Sequence, residues 1–438
     1  MPSWRRSAPE MPGFARLLAA DLVKTGARGL SEDLMHAACL HSCDTIIAAM
    51  AGARVGMVGK VANALGYAGD PEEMPPSRRA LGLALAAHVL QSDDGDLAAG
   101  THPGCVIVSA AWATKAQATP ARDFATAVYL GYRAAALIAA AMPASQMKGS
   151  WHRTPVCCSF GAAIGAAWLS GIRTEDGLHN VLCICASLAS GILPSYQPVG
   201  SMEALHPAIA AEAGVRASRL AAAGVAANGT ALDGPNGYLA ALCDPVTRVP
   251  DVADRGLETA YIKRYPCVRA AHEAIDALLE ADSDVLRIEL SLANAAMRFV
   301  GEFPGSAADA ALNIAYCLAV VLHNGRRAPV PSDFGDEMRH RVRDSGLFGR
   351  IDIRRSETAA STMRIIGPAG SRIVDLQKRL PSGKDAIERK WMGLVAHGGA
   401  PKLSLWKVGD SRSLAGCKTF LERFLQCSLA GMIPCQSR

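Results

Sequence analysis

The chain is 438 residues long, half of them hydrophobic, 19% charged and only 5% aromatic. That length exceeds what one hydrophobic core supports and predicts two domains, their interiors filled by Ala, Leu, Val and Ile rather than by rings. With 45 basic residues against 40 acidic ones, the net charge of +5 excludes the footprint of a nucleic-acid binder and suits a small anionic substrate.

The first residues, MPSWRRSAPEMPGFARLL, carry prolines and charges where a secretion signal needs an unbroken apolar run. From about residue 13 to 260, apolar positions recur three and four apart, as in LMHAACLHSCDTIIAAMAG, RRALGLALAAHVL, ATAVYLGYRAAALIAAAM and IAAEAGVRASRLAAAG, which predicts helix after helix. Their many Ala and Gly residues let helix axes approach closely. The longest apolar stretch, VLCICASLASGIL, is too short to span a bilayer and stops at Pro194, so a cytoplasmic protein without membrane attachment is expected. Thirteen cysteines include Cys157-Cys158 and Cys183-Ile-Cys185 but no CxxC pair, which argues for reduced, buried thiols rather than a zinc or redox motif.

After Pro266 the composition changes. SDVLRIELSLA alternates like a strand, FGRIDIRRSE and GSRIVDLQKRL read as further short strands, and CVRAAHEAIDALLEA and AADAALNIAYCLAVVLHNG read as helices. The tail from Ser411 returns to helical spacing. The expected class is mainly α: a large all-helical domain over residues 1–260, a smaller α+β domain over 261–395, and a C-terminal return to the helical domain over 396–438.

Four stretches could carry chemistry. QSDDGDLAAGTHPG sets Asp93, Asp94 and Asp96 in a turn ahead of His102, where they either aim into a cleft or are solvated or cap the following helix. SWHRTPVCCSFGAAIGAA places His152 and Arg153 at a helix entrance that favours carboxylates, although His152 also reads as an ordinary partly buried residue. YIKRYPCVRAAH puts Lys263 and Arg264 at the junction of the two composition regimes, as an anion anchor or a solvated linker pair. Tyr316 projects from the apolar run LNIAYCLAVV, where most tyrosines are core residues.

The joint order of DDGDLAAGTHPG, GSWHRTPVCCSFGAAIGAA, LHPAIAAEAGVRASRLAAAG with LDGPNGY, KRYPCVRAAH and NIAYCLAVVLHNG resembles the MmgE/PrpD family over most of residues 40–325. That family includes 2-methylcitrate dehydratase, cis-aconitate decarboxylase and an iminodisuccinate epimerase. The resemblance implies a helical domain with an inserted α+β lid, a homodimer, no metal or other cofactor, and an active site between the two domains. It makes His102, His152, Lys263 and Tyr316 site residues, with Asp93, Asp94 and Thr101 close by. The chain departs from the pattern in having Gln91 two residues before the Asp pair, where the family commonly has aspartate. It also has Glu203 three residues before His-Pro, where the family often has lysine.

Exchanging ammonium for carboxylate changes local charge by two units, so a substrate with fewer carboxylates than a tri-acid, or one bearing an amine, is expected. The shared chemistry is proton transfer at a carbon next to a carboxylate. His102 or His152 would be the base, Tyr316 or the other histidine the acid, and Lys263, with Arg264 beside it, the carboxylate anchor. Asp93 or Asp94 would orient an imidazole. A dehydratase-type lyase is the leading expectation, with epimerase, decarboxylase and a catalytically decayed ligand binder as alternatives.

Overall fold

The computed structural model describes residues 13–66, 73–193, 202–243, 256–281, 284–358, 360–376, 389–394 and Leu421. The helical part comprises α1 (Phe14–Arg28), α2 (Glu32–Gly52), α3 (Gly56–Ala64), α4 (Pro76–His88), α5 (Pro103–Thr114), α6 (Ala121–Ala141), α7 (Arg153–Leu169), α8 (Glu175–Ala186), α9 (Met202–Ala222) and α10 (Tyr238–Leu242). Their starts are written locally: the Ser31 hydroxyl accepts from Leu34 N ahead of α2, Thr174 does the same for α8 from Gly177 N, and Pro103 occupies the first turn of α5.

Helices that are apolar all round must sit in the middle of a bundle. α5 is buried from Pro103 to Ala113 and α7 from Thr154 to Trp168. α7 packs on α5, α6, α8 and α9, while α4 packs on α2, α5 and α9. Small residues set these spacings. A Cβ added at Gly161 of α7 would lie 2.5 Å from the Gly131 carbonyl of α6, so backbone meets backbone there and overpacking would cost about 1–3 kcal/mol.

Among the described residues, two helices, α2 and α6, are long and apolar enough to cross a membrane, where no such segment was expected. Their apolar surface is explained by packing: both contribute residues along their length to the helical core. That core runs from Phe14 to Leu257 and includes Trp391, Leu394 and Leu421. The chain has therefore returned to the helical part by residue 391, ahead of the expected 396. Lys390 Nζ and Trp391 Nε1 both donate to Asp44 of α2, the latter over 2.7 Å. The expected C-terminal helix beyond Ser411 lies outside the described residues apart from Leu421.

A second core spans Tyr265 to Leu376. It holds α11 (His272–Leu279), α12 (Ala307–Ala311), α13 (Ile314–His323) and α14 (Asp336–Asp344), with a four-stranded sheet of β3 (Arg287–Leu292), β4 (Ile351–Arg355), β5 (Thr362–Gly367) and β6 (Gly370–Asp375). The order is β4-β3-β5-β6, with β3 and β4 parallel and the other pairs antiparallel. β3 alternates as its sequence predicts, burying Ile288, Leu290 and Leu292. Two helices differ from the expectation. The run AADAALNIAYCLAVVLHNG is broken because the Asn313 side chain accepts from Tyr316 N and starts a new helix. In CVRAAHEAIDALLEA only His272–Leu279 is α-helical, after a 3-10 turn at Arg269–Ala271. The two parts are stitched by β1 (Gly95–Asp96) and β2 (Ala260–Tyr261), which pair antiparallel.

Candidate active site

A cavity of about 260 Å³ lies between the helical core and the α+β core. Gln91, Thr101, His102, His152 and Glu203 line its helical side, Arg269, Glu273, Arg298 and Phe299 line the other, and Lys263 comes from the connection between them. Lining of mixed apolar and convergent polar groups at a domain junction is the usual form of a small-molecule site.

The turn Gln91–His102 links α4 to α5 and is held from inside. The Asp94 carboxylate accepts from Gly104 N at 2.8 Å and from the Tyr132 hydroxyl at 2.5 Å, and meets His41 Nδ1 at 2.6 Å. Gly104 is the second residue of α5, so Asp94 caps that helix from outside it. A Cβ there would lie 2.6 Å from Asp94 Oδ1 and 2.5 Å from Thr45 Oγ1, so glycine is what lets the carboxylate approach. The Asp94 main-chain oxygen meets His102 Nδ1 at 2.6 Å. A carbonyl oxygen can only accept, so Nδ1 carries the proton and Nε2 the lone pair, in a ring that lines the cavity. Burial, then the nearby Lys263 ammonium, lower its pKa to about 4, against the weaker pull of Asp93. At neutral pH His102 is an uncharged base.

Beneath it lies a buried ionic chain. His88 Nδ1 meets Asp93 Oδ2 at 2.8 Å and Nε2 meets Glu203 Oε1 at 3.2 Å. Burial opposes charge on His88, yet the two carboxylates outweigh it and raise its pKa to about 10. Burial likewise opposes charge on Glu203, but His88 holds its carboxyl down at about 2, and Asp93 is lowered too. Lys263 Nζ donates to Gln91 O at 2.9 Å and sits 3.9 Å from Asp93 Oδ1. Two anions and two cations therefore balance in a network that would be unaffordable unpaired. Gln91 adopts a left-handed φ of 51°, held by Lys263 on its carbonyl and by its own amide donating to Glu203 Oε2 at 3.2 Å.

His152 precedes α7, its backbone N–H bound to Gly191 O at 2.9 Å. Its Nδ1 lies 3.2 Å from Nδ1 of His206. Burial is the main cause that lowers the His152 pKa to about 3. Arg153 also lines the cavity, but its guanidinium donates to the carbonyls of Ala99, Met142 and Ala139, where it ties the turn to the end of α6.

The structure thus brings His102, His152, Lys263, Thr101, Gln91 and Glu203 to one cavity. Gln91 and Glu203, singled out separately in the sequence, are hydrogen-bonded to each other. Asp93 and Asp94 lie fully buried behind the cavity wall and do not line it; Asp93 pairs with His88, and Asp94 holds His102 through its backbone and α5 through its carboxylate. Two expected residues are not brought there. Tyr316 is buried in the second core, its hydroxyl donating to Asp333 O at 2.9 Å and its ring against Phe303 and Phe334. Arg264 turns away to pair with Asp276 at 2.5 Å. In both cases a nearby acceptor within the α+β part captures the polar end. Sequence reasoning missed His88, His206, Arg269 and Arg298. His206 stood inside the quoted LHP motif and His88 three residues before Gln91, but neither is marked by local pattern.

Among the described residues, His88 Nδ1, Asp93 and Cys105 Sγ lie within 4.8 Å of one another and could hold a metal ion. His88 is protonated and burial pushes the Cys105 thiol well up, so a cation would have to displace protons from both. No curated protein matches the chain. Residues 16–248, which carry the histidines, Asp93, Asp94 and Glu203 around the cavity, match the profile of the MmgE/PrpD N-terminal domain. With more than half of the chain matched by that profile, the protein belongs to the MmgE/PrpD family.

Proposed function

We propose that the cavity catalyses cofactor-independent, dehydratase-type lyase chemistry on a small carboxylic acid, starting with proton removal from the carbon next to a carboxylate. Membership of a family of dehydratases and related enzymes supports the class. The observation that carries the reading is His102, an uncharged imidazole whose Nδ1 proton is engaged by Asp94 O. Its Nε2 takes the proton, and the electron pair left on carbon delocalises into the adjacent carboxylate. The Lys263 ammonium lies on the cavity wall to offset the growing charge. A carbon–carbon double bond then forms as the carbon–oxygen bond breaks, and His152 delivers a proton to the departing hydroxyl, releasing water. The substrate's own carboxylates favour the protonated His152 that this step needs.

Arg298 on the opposite wall suits a carboxylate, with Arg269 beside it, whose guanidinium is ion-paired with Glu273. Glu203, anionic on the helical wall, opposes a third carboxylate and suits an amine. Proton NMR in deuterium oxide with a panel of hydroxy-, amino- and unsaturated acids tests the reading. Deuterium should appear at the carbon beside the carboxylate, with water loss for the hydroxy acid that fits, and His102→Gln should abolish both. Exchange that survives His102→Gln would overturn the assignment of the base.

A further inference from the structure

His206 lies behind His152, outside the residues that line the cavity, and is 8% exposed. It follows Glu203 by three positions on α9, so one turn of that helix presents both side chains to the same side. Glu203 meets His88 and Gln91 there, and His206 meets His152 across 3.2 Å between the two Nδ1 atoms, with ring centroids 5.4 Å apart. Two nitrogens at that distance share one proton: one ring must donate and the other accept.

The contact matters because it turns the Nδ1 edge of the His152 ring away from the cavity. The His152 backbone is fixed at the start of α7 by the bond to Gly191 O, and its ring lines the cavity while Nδ1 points to His206. The nitrogen available to a bound molecule is therefore Nε2, and its state is set by whichever ring owns the proton between the Nδ1 atoms. His102 shows the same arrangement, with Asp94 O as the acceptor.

We infer that His206 is a positioning residue that accepts the Nδ1 proton of His152, so that Nε2 of His152 is the atom that gains and returns the mobile proton. This rests on the proton-transfer reading above. In the resting state Nε2 of His152 holds a lone pair. When the ring is charged, Nε2 and Nδ1 are both protonated and His206 shares the charge through the Nδ1 bond. Delivery of the Nε2 proton to the leaving oxygen returns the neutral Nδ1–H form without forming an imidazolate. Glu203, His88 and His102 all face His152, and Glu203 and His88 also face His206. The carboxylate favours the shared charge and His88 opposes it.

The first test needs no substrate. In the full chain labelled with 15N-histidine, His152 should show a protonated Nδ1 and an unprotonated Nε2 near neutral pH, with a nitrogen–nitrogen coupling across the bond to His206. In His206→Phe the coupling should vanish and His152 should shift toward the Nε2–H tautomer. His152 found as the Nε2–H tautomer in the wild type, or an absent coupling, overturns the inference.

The second test is kinetic, on whichever acid the wild type turns over. His206→Phe should lower kcat by about 10²-fold, in the range of general acid–base contributions, with KM within about 2-fold. It should also displace the alkaline limb of the pH–rate profile, where His152 gives up its proton, and leave the acid limb set by His102 in place. His206→Asn, whose side-chain oxygen can take the place of Nδ1 as acceptor, should restore most of kcat. Unchanged kcat and profile in His206→Phe would overturn the role, as would equal losses in both variants accompanied by lower thermal midpoints, which would mark a packing role. A wild type that exchanges hydrogen on no acid sinks the proton-transfer reading and the kinetic role with it, while the tautomer measurement still decides the geometry.

Discussion

Asp94→Asn is the substitution for which the structure gives the sharpest expectation. The carboxylate is fully buried and serves three donors: Gly104 N at 2.8 Å, the Tyr132 hydroxyl at 2.5 Å and His41 Nδ1 at 2.6 Å. An asparagine keeps one oxygen for Gly104 N but turns an amide NH2 toward the other two, so the hydroxyl must rotate and the imidazole change tautomer. Hydrogen bonds to charged groups contribute about 1.5–3 kcal/mol and neutral ones about 0.5–1.5, so three conversions amount to a loss of about 3 kcal/mol. Urea unfolding followed by tryptophan fluorescence measures it, with Trp112 of α5 within the affected helix. Tyr132→Phe, which deletes one charge-assisted bond outright, should lose about 1.5–3 kcal/mol. Activity should fall further than stability requires, because the same residue's carbonyl holds His102. If Asp94→Asn stays within about 0.5 kcal/mol of the wild type, the level of a neutral surface change, the account of the turn is wrong.

Three other outcomes follow from the charges around the cavity. Lys263→Met removes a cation that lowers the His102 pKa, so the acid limb of kcat/KM should move from about 4 toward the ordinary 6.5; a limb that stays in place would separate Lys263 from the base. Folding stability should peak near pH 6.5. His102 at about 4 and His152 at about 3 lie below their unfolded value, so the unfolded chain takes up protons first as pH falls from 6.5. Glu203 at about 2 extends that loss below its ordinary value of 4.5. His88, raised to about 10, stabilises fully below 6.5 and loses its contribution as pH climbs through 10. Urea midpoints that rise or fall monotonically from pH 5 to 10 would contradict this. Glu203→Lys should shift acceptance toward tri-acids and weaken any amine-bearing substrate by at least about 10-fold, the ratio worth about 1.4 kcal/mol; competition between the two acid types reads it directly.

Much of the fold was legible because helix periodicity is local. The apolar spacing in RRALGLALAAHVL and ATAVYLGYRAAALIAAAM already marks α4 and α6, and the alternation in RIELSL marks β3. Less visible was β5, in the middle of the sheet, since Thr362–Gly367 reads as neither a clean alternation nor a helix. The break at Asn313 depends on one side chain capping a helix inside an apolar run, where periodicity continues on both sides.

By itself the sequence determined the helical bundle, the change of regime near Pro266 and the residue types able to move protons, because these are properties of neighbours along the chain. Only the tertiary structure decided which of those residues meet. It paired Gln91 with Glu203 across 112 positions, placed His206 against His152, and directed Tyr316 and Arg264 to partners inside the α+β part. The physical reason is that the charge state and tautomer of a buried group depend on what lies within a few ångströms of it, and that distance is set by how helices far apart in sequence pack.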